Sequence, residues 1–354
     1  MEVKNYQQNY SARKNVSAWL IAVTLVLTSF STVAQAQTSA SACDRACITK
    51  IVDQLLASMV AHDPDTLPLA PMYEATENSH PSSLAFMTAW RTITEAGKPD
   101  FLAIDTKAGS AFILTTVSES GSKTVLWGRI KVENQKISEI EIFLNRSRGD
   151  HGFSFSADQL PTNVKHWMNP PADRKKATRE ELEQISRAAF DAKVNLTLDS
   201  APDCQFLEAG TLVIDPGVDD NSANFEEAKK AGKTNALGCM FPPFRPSDPK
   251  AREVVIDEEL GVVVNAAMIP GIVYPYPLYR HGVSAFIPSD MAFAAKAQDA
   301  WIAKIQKEGK LPILKPTLTM GDCMQILQFY NGKLEGSSIN VYLGGPEEKS
   351  VWVK

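Results

Sequence analysis

Pro99–Val117 reads PDFLAIDTKAGSAFILTTV, and Arg252–Ile269 reads REVVIDEELGVVVNAAMI. Each is an apolar, β-rich run ending in Ile-Asp (Ile104-Asp105, Ile256-Asp257). Three residues follow, then a glycine (Gly109, Gly261), then a second apolar run. Asp before an x-x-x-Gly turn is ordinary turn chemistry between two strands. Upstream of each block an amphipathic helix leads into an extended piece holding a glutamate, Glu77 in YEATEN and Glu208 in CQFLEA. Downstream, two strands flank a polar turn, VENQKI at Val132–Ile137 and FYNGKL at Phe329–Leu334. Three blocks in the same order indicate one unit present twice. The period is far longer than that of a solenoid repeat.

The ends of the chain bound the rest. Lys4, Arg13 and Lys14 precede the apolar run Ala18–Thr28, and Ala34-Gln35-Ala36 is a small-x-small cleavage site. Residues 1–36 are therefore expected to be a secretory signal, with the remainder exported to the periplasm or beyond. No other stretch is apolar enough for a membrane span, so no membrane insertion is expected after cleavage. The whole chain carries a net charge of −5, and loss of the leader makes it more acidic. An acidic chain without a basic stripe argues against nucleic acid as a partner. The short run Arg174-Lys175-Lys176 reads as a solvated hinge.

Five cysteines accompany the exported part. Export permits disulfides. Cys43 and Cys47 stand at i,i+4 at a helix start, and Cys204 with Cys239 would close a loop in the second copy, leaving Cys323 over. No C-x2-C or HExxH spacing occurs, so no metal is expected.

The coarse organisation follows from periodicity. Asp44–His62 is an amphipathic helix and Ser82–Glu95 a second, less regular one. Strands are expected at Phe101–Ile104, Ala111–Val117, Thr124–Val132 and Ile137–Leu144. Helices followed by a strand meander predict an α+β fold with helices on one face of a curved antiparallel sheet. The first domain is placed at 43–147, a Pro- and Gly-containing linker at 148–177, and the second domain, with insertions, at 178–354. Thr178 and Glu181 form a capping box that opens the second copy's helix.

Each copy resembles the nuclear transport factor 2-like, or SnoaL-like, cone fold. The residues that carry the likeness are Cys43–Cys47, Ala61–Pro64, Thr76–Asn78 and Arg129–Val132 in copy one. In copy two they are Cys204, Glu208, Ala236–Cys239 and Val255–Val263. The resemblance implies two tandem cones, packing as a pseudo-dimer, each around a pocket for a small organic ligand. It implies cofactor-free chemistry, a lyase or isomerase of the dehydratase kind on a mostly apolar molecule. The alternative is a non-catalytic, exported binding or protein-interaction module.

Such proton transfer needs a base beside a C–H acid and a donor for the oxyanion. The candidates cluster in copy one: His80 as base, Glu77 to orient it, Arg129 or Tyr73 as oxyanion donor. Trp90 and Trp127 are candidate pocket walls. Tyr279 and His281, in the Pro–Tyr loop Ile269–Gly282, are the second copy's candidate ligand contacts. Each has a plainer reading: Glu77 and Glu208 holding backbone N–H groups, His80 an exposed loop residue, Arg129 a residue of a solvated or inter-domain sheet face.

Overall fold

A computed structural model of the chain describes residues 43–147, 150, 155–190, 194, 196–212, 252–274, 286–289, 292–309 and 315–352. The leader lies outside these residues. Helix α1 (Arg45–Val60) begins where the Asp44 carboxylate accepts from Cys47 N at 2.8 Å. Strands β1 (Leu69–Glu77) and β2 (His80–Pro81) follow, then α2 (Thr88–Thr92), β3 (Ile93–Ala96), β4 (Phe101–Asp105), β5 (Ser110–Glu119), β6 (Ser122–Glu133) and β7 (Lys136–Asn145). A short α3 (Leu160–Asn163) leads to the second copy: α4 (Arg179–Phe190), β8 (Asp199–Glu208), β9 (Thr211–Leu212), β10 (Arg252–Asp257), β11 (Val262–Val273), β12 (Phe286–Pro288), α5 (Ala292–Lys307), β13 (Thr317–Tyr330) and β14 (Lys333–Gly344). The capping box is present: Thr178 N donates to Glu181 Oε2 and Glu181 N to Thr178 Oγ1.

The repeat is visible strand by strand. The first sheet runs β2-β1-β7-β6-β5-β3 with β4 also on β5. The second runs β9-β8-β14-β13-β11-β10 with β12 also on β11. In each, the strand after the long helix pairs parallel with the last strand, β1 with β7 and β8 with β14. The shared glycines explain their own repetition. Gly109 and Gly261 have φ of +67° and +69°. A Cβ on either would meet a carbonyl oxygen, of Val132 or Phe329, at 2.4 Å. That same residue's N–H bonds back to the glycine oxygen at 2.7 Å.

The expected α+β pair of cones, with helices packed on antiparallel sheets, is not what forms. The described residues are predominantly strand, and both seven-stranded sheets are mixed. The helix expected at Ser82–Glu95 reduces to a 3-10 turn (Leu84–Phe86), the five-residue α2 and the strand β3. Two causes are local: α2's N-cap, Met87, offers no capping side chain, and Thr92-Ile93-Thr94 is a β-branched run that favours extended backbone. The larger cause is that each sheet is covered on both faces.

One face of the first sheet, its inner face, packs against α1. Ile48, Val52, Leu55 and Met59 meet Ile104, Ile113, Leu126, Ile130 and Ile142. The opposite, or seam, face packs against the second copy. Phe101, Phe112, Leu114, Trp127 and Phe143 meet Val255, Val262, Val264, Ala266, Met324 and Ile326. Trp127 and Phe143 stack at 4.0 Å between centroids. Burial of each such side chain contributes about 1.5–3 kcal/mol. Ala157, Leu160, Val164 and Trp167, from the stretch read as linker, join this layer. Both copies accordingly fall within one unit, Ala40–Lys354.

The seam is reciprocal. Asp105 accepts from Arg179 Nη1 and Nη2 (3.1 and 2.8 Å) and from Ile256 N; Asp257 accepts from Arg45 Nη2 (2.5 Å) and Ile104 N (2.7 Å). Each aspartate also caps its own turn, Asp105 through Lys107 N and Ala108 N, Asp257 through Glu259 N and Leu260 N. Residue i of one copy meets j of the other and the converse, the pattern of an isologous interface.

Candidate functional site

Of the residues singled out in the first copy, the fold pairs Glu77 with His80 and sets the others in separate surroundings. Glu77 is buried, and its Oε2 accepts from Ala89 N at 3.1 Å, in the first turn of α2. His80 is its register partner on β2 with an exposed side chain. Tyr73 packs at the margin of the α1 core and lines a groove of about 490 Å³ with Thr76, Pro81, Ser82 and Trp352. Trp90 is buried in that core, its Nε1 donating to Ser58 Oγ at 3.0 Å. Trp127 belongs to the seam and donates to Asn145 Oδ1 at 2.7 Å. Tyr279, His281 and Cys239 lie outside the described residues, so the Cys204–Cys239 pairing remains an expectation. Cys204 itself is buried beneath α4. The Cys43–Cys47 disulfide is present.

Arg129 also faces the seam, where its charge is already engaged. Nε donates to Glu141 Oε2 at 2.7 Å and Nη1 to Glu139 Oε2 at 2.6 Å, and the Trp352 ring lies 4.6 Å from its guanidinium carbon. Glu141 is fully buried and also accepts from Arg252 of the second copy. Next to this cluster sits Asp322, whose carboxyl is pushed up to about 8 by burial and then by the nearby Glu141 charge. Ser79 Oγ donates to it at 2.9 Å. An arginine held by two carboxylates of its own sheet is a structural tie, not a free oxyanion donor, and Glu141 extends that tie across the seam to Arg252.

A different set of side chains converges on the inner face of the second sheet, the face that carries α4. Register places Asn265 on β11 directly opposite Gln325 on β13, and Gln325 opposite Ile339 on β14. Ser337, two residues before Ile339, shares the face. Ser186 of α4 donates to Asn265 Oδ1 at 2.5 Å. Asn265, Gln325 and Ser337 are each no more than 1% exposed. Yet Asn265 Nδ2, Gln325 Nε2, Gln325 Oε1 and Ser337 Oγ have no hydrogen-bond partner among the described residues. Leaving one such group unpaired costs about 1–3 kcal/mol.

The polar row splits what is a single core in the first copy. On one side lie Leu182, Ile185, Val263 and Leu327; on the other lie Ile269, Phe286, Cys323 and Val341. Cys323 is a buried free thiol, and burial raises it well above the ordinary range, so it is not a thiolate nucleophile near neutral pH. Glu208, on β8 opposite Ile339, ends the same row and is buried. Among the described residues no cluster of metal-ligating side chains occurs.

These positions carry a sequence signal that motif reading passes over. The run VVVNAAM places Asn265 where the first copy has Ile113, and CMQILQF places Gln325 where it has Gly128. Ser337 takes the place of Ile140. Position-by-position comparison of the two copies isolates them.

No family model and no curated protein matches the sequence. Among solved structures the chain is similar to a de novo designed protein with a curved β-sheet. That likeness has 14% identity and a TM-score of 0.25, over 35% of this chain and 98% of that one, and carries no argument about function.

Proposed function

We propose that the chain is an exported, non-catalytic binding protein that takes a small organic molecule on the inner face of its second sheet. The observation that carries this reading is the set of four unpartnered polar atoms on Asn265, Gln325 and Ser337. A chain that buries them where its other copy buries isoleucine or glycine loses stability unless something from outside pairs with them. Export rests on the basic leader, its apolar run and Ala34-Gln35-Ala36, and the Cys43–Cys47 disulfide suits an oxidising compartment. Native mass spectrometry of the full chain, purified from the exported fraction, tests the function. A small-molecule adduct is expected that is lost on denaturation and absent from the Asn265→Leu/Gln325→Met double variant. An adduct of equal abundance in that variant, or no adduct together with no melting-temperature response to a broad set of small organic molecules, overturns it.

A second reading, a cofactor-independent lyase or isomerase on a mostly apolar molecule, draws on Glu208. This buried carboxylate lies on the same row as the amides of Gln325 and Asn265, an arrangement of base and donors on one face. Incubation of the identified ligand with the protein distinguishes the two. Turnover that falls at least a hundredfold in Glu208→Gln with an unchanged fold supports the enzyme; recovery of intact ligand excludes it.

A further inference from the structure

Resting on the binding reading above, we infer that the ligand is a neutral, largely apolar molecule bearing a planar amide, lactam or imide group, held by Asn265, Gln325 and Ser337. Charge decides first. None of the three side chains ionises, so a carboxylate or ammonium placed among them would be buried without a counter-charge from them.

Hydrogen-bond inventory decides next. Gln325 presents a donor and an acceptor on one planar group, and both atoms are unpartnered among the described residues. A ligand amide matches them with two parallel bonds, its N–H to Oε1 and its C=O from Nε2. A hydroxyl, an ester or a ketone leaves at least one atom of that pair with poorer geometry or none. Asn265 lies directly across, on a strand about 5 Å away. Its Oδ1 already accepts from Ser186, and its unpartnered N–H suits the second lone pair of the ligand's carbonyl. Ser337 Oγ donates or accepts as the remaining edge requires. The bordering Cys323, Ile269, Val341, Phe286 and Phe206 supply an apolar wall for the rest of the molecule.

Three probes of one shape separate these elements: cyclohexanecarboxamide, its methyl ester counterpart methyl cyclohexanecarboxylate, and the cyclohexanecarboxylate anion. Their dissociation constants for the full chain are read by ligand-observed NMR. The amide is expected to bind at least tenfold more tightly than either of the others. In Gln325→Met, which conserves volume, amide and ester should come within threefold of each other while the melting temperature does not fall. Should that variant not fold, Asn265→Leu is the substitute, with the same expected loss of preference. Equal binding of amide and ester, tightest binding of the anion, or an amide preference that survives in the variant overturns the ligand class but leaves the binding reading standing. Failure of all three probes, with no adduct in the native mass spectrum, removes both.

Discussion

The inner faces of the two sheets share one topology and differ in what they bury. Under α1, the row Ile113–Gly128–Ile142 is apolar and closes into one core. Under α4, the row Asn265–Gln325–Ile339 is amide-rich and divides the core in two. The duplicated scaffold therefore holds one copy given to packing and one whose interior is chemically unfinished. The same backbone tolerates both because strand pairing and the seam, not the inner face alone, hold each sheet in place.

Exchanging the two faces gives the largest effect. Ile113→Asn should lower stability by about 4 kcal/mol, since it removes a buried branched side chain and leaves a buried amide unpaired. A change in the opposite sense, Gln325→Met, which removes two unpartnered atoms and conserves volume, should raise stability by about 1 kcal/mol in the ligand-free protein. Urea unfolding of both variants reads the difference. Equal losses would mean that the two interiors are packed alike and that the contrast is wrong.

Carboxyl groups sharpen the comparison at the seam. Asp322, from the second copy, is held near 8, whereas it ionises near 4 once unfolded. Between those values the folded state binds more protons, so its contribution lowers stability as pH rises from about 4 to about 8 and is level above. Asp105, from the first copy, behaves oppositely. Burial alone would raise it, but the hydrogen bonds from Arg179 and Ala108 and the Arg179 charge outweigh burial and hold it below its ordinary value. Its contribution is present above that ordinary value and is lost as pH falls through the lowered one. Asp322→Asn should abolish the decline towards pH 8 and gain about 3 kcal/mol there, with urea midpoints from pH 4 to 9 as the measurement. A wild-type profile that is flat or rises over this range would contradict the assignment.

The smallest effect concerns symmetry. Arg45→Ala and Arg179→Ala each strip a buried aspartate of its cross-copy partner. Because both arginines are partly exposed, each loss should be about 2 kcal/mol and the two should agree within about 1 kcal/mol. A large effect at one and none at the other would show that the seam is not energetically reciprocal.

Much of the local structure was readable. The repeat, α1, the capping box at Thr178–Glu181 and β4 to β7 fall within a few residues of where periodicity puts them. Such features are written in neighbouring residues. What was not readable depends on distant ones. Phe101, Ala103, Phe112 and Leu114 alternate with Leu102, Ile104, Ala111 and Ile113, so every residue of the run is apolar or nearly so. That pattern marks a strand buried on both sides but does not say by what. The amide row escapes sequence reading for a related reason. His80, Glu77 and Arg129 attract attention because they ionise, but Glu77 is engaged in tying α2 and Arg129 is held by Glu139 and Glu141 of its own sheet. Amides inside apolar strands carry no motif. They stand out only against Ile113 and Gly128 of the other copy.

The parallel pairing of β1 with β7 has a consequence for how the chain comes into being. Thr76 finds its partner Glu141 only after the whole first copy has been made, and Ser337 must emerge before Phe206 can pair. Long-range closure of this kind folds slowly. During synthesis the first copy is completed first, and its Phe112–Trp127–Phe143 face then waits, uncovered, for the second. A chain stopped at residue 147 would keep that aromatic surface and an Asp105 without Arg179, and a second such fragment is the nearest available cover for both.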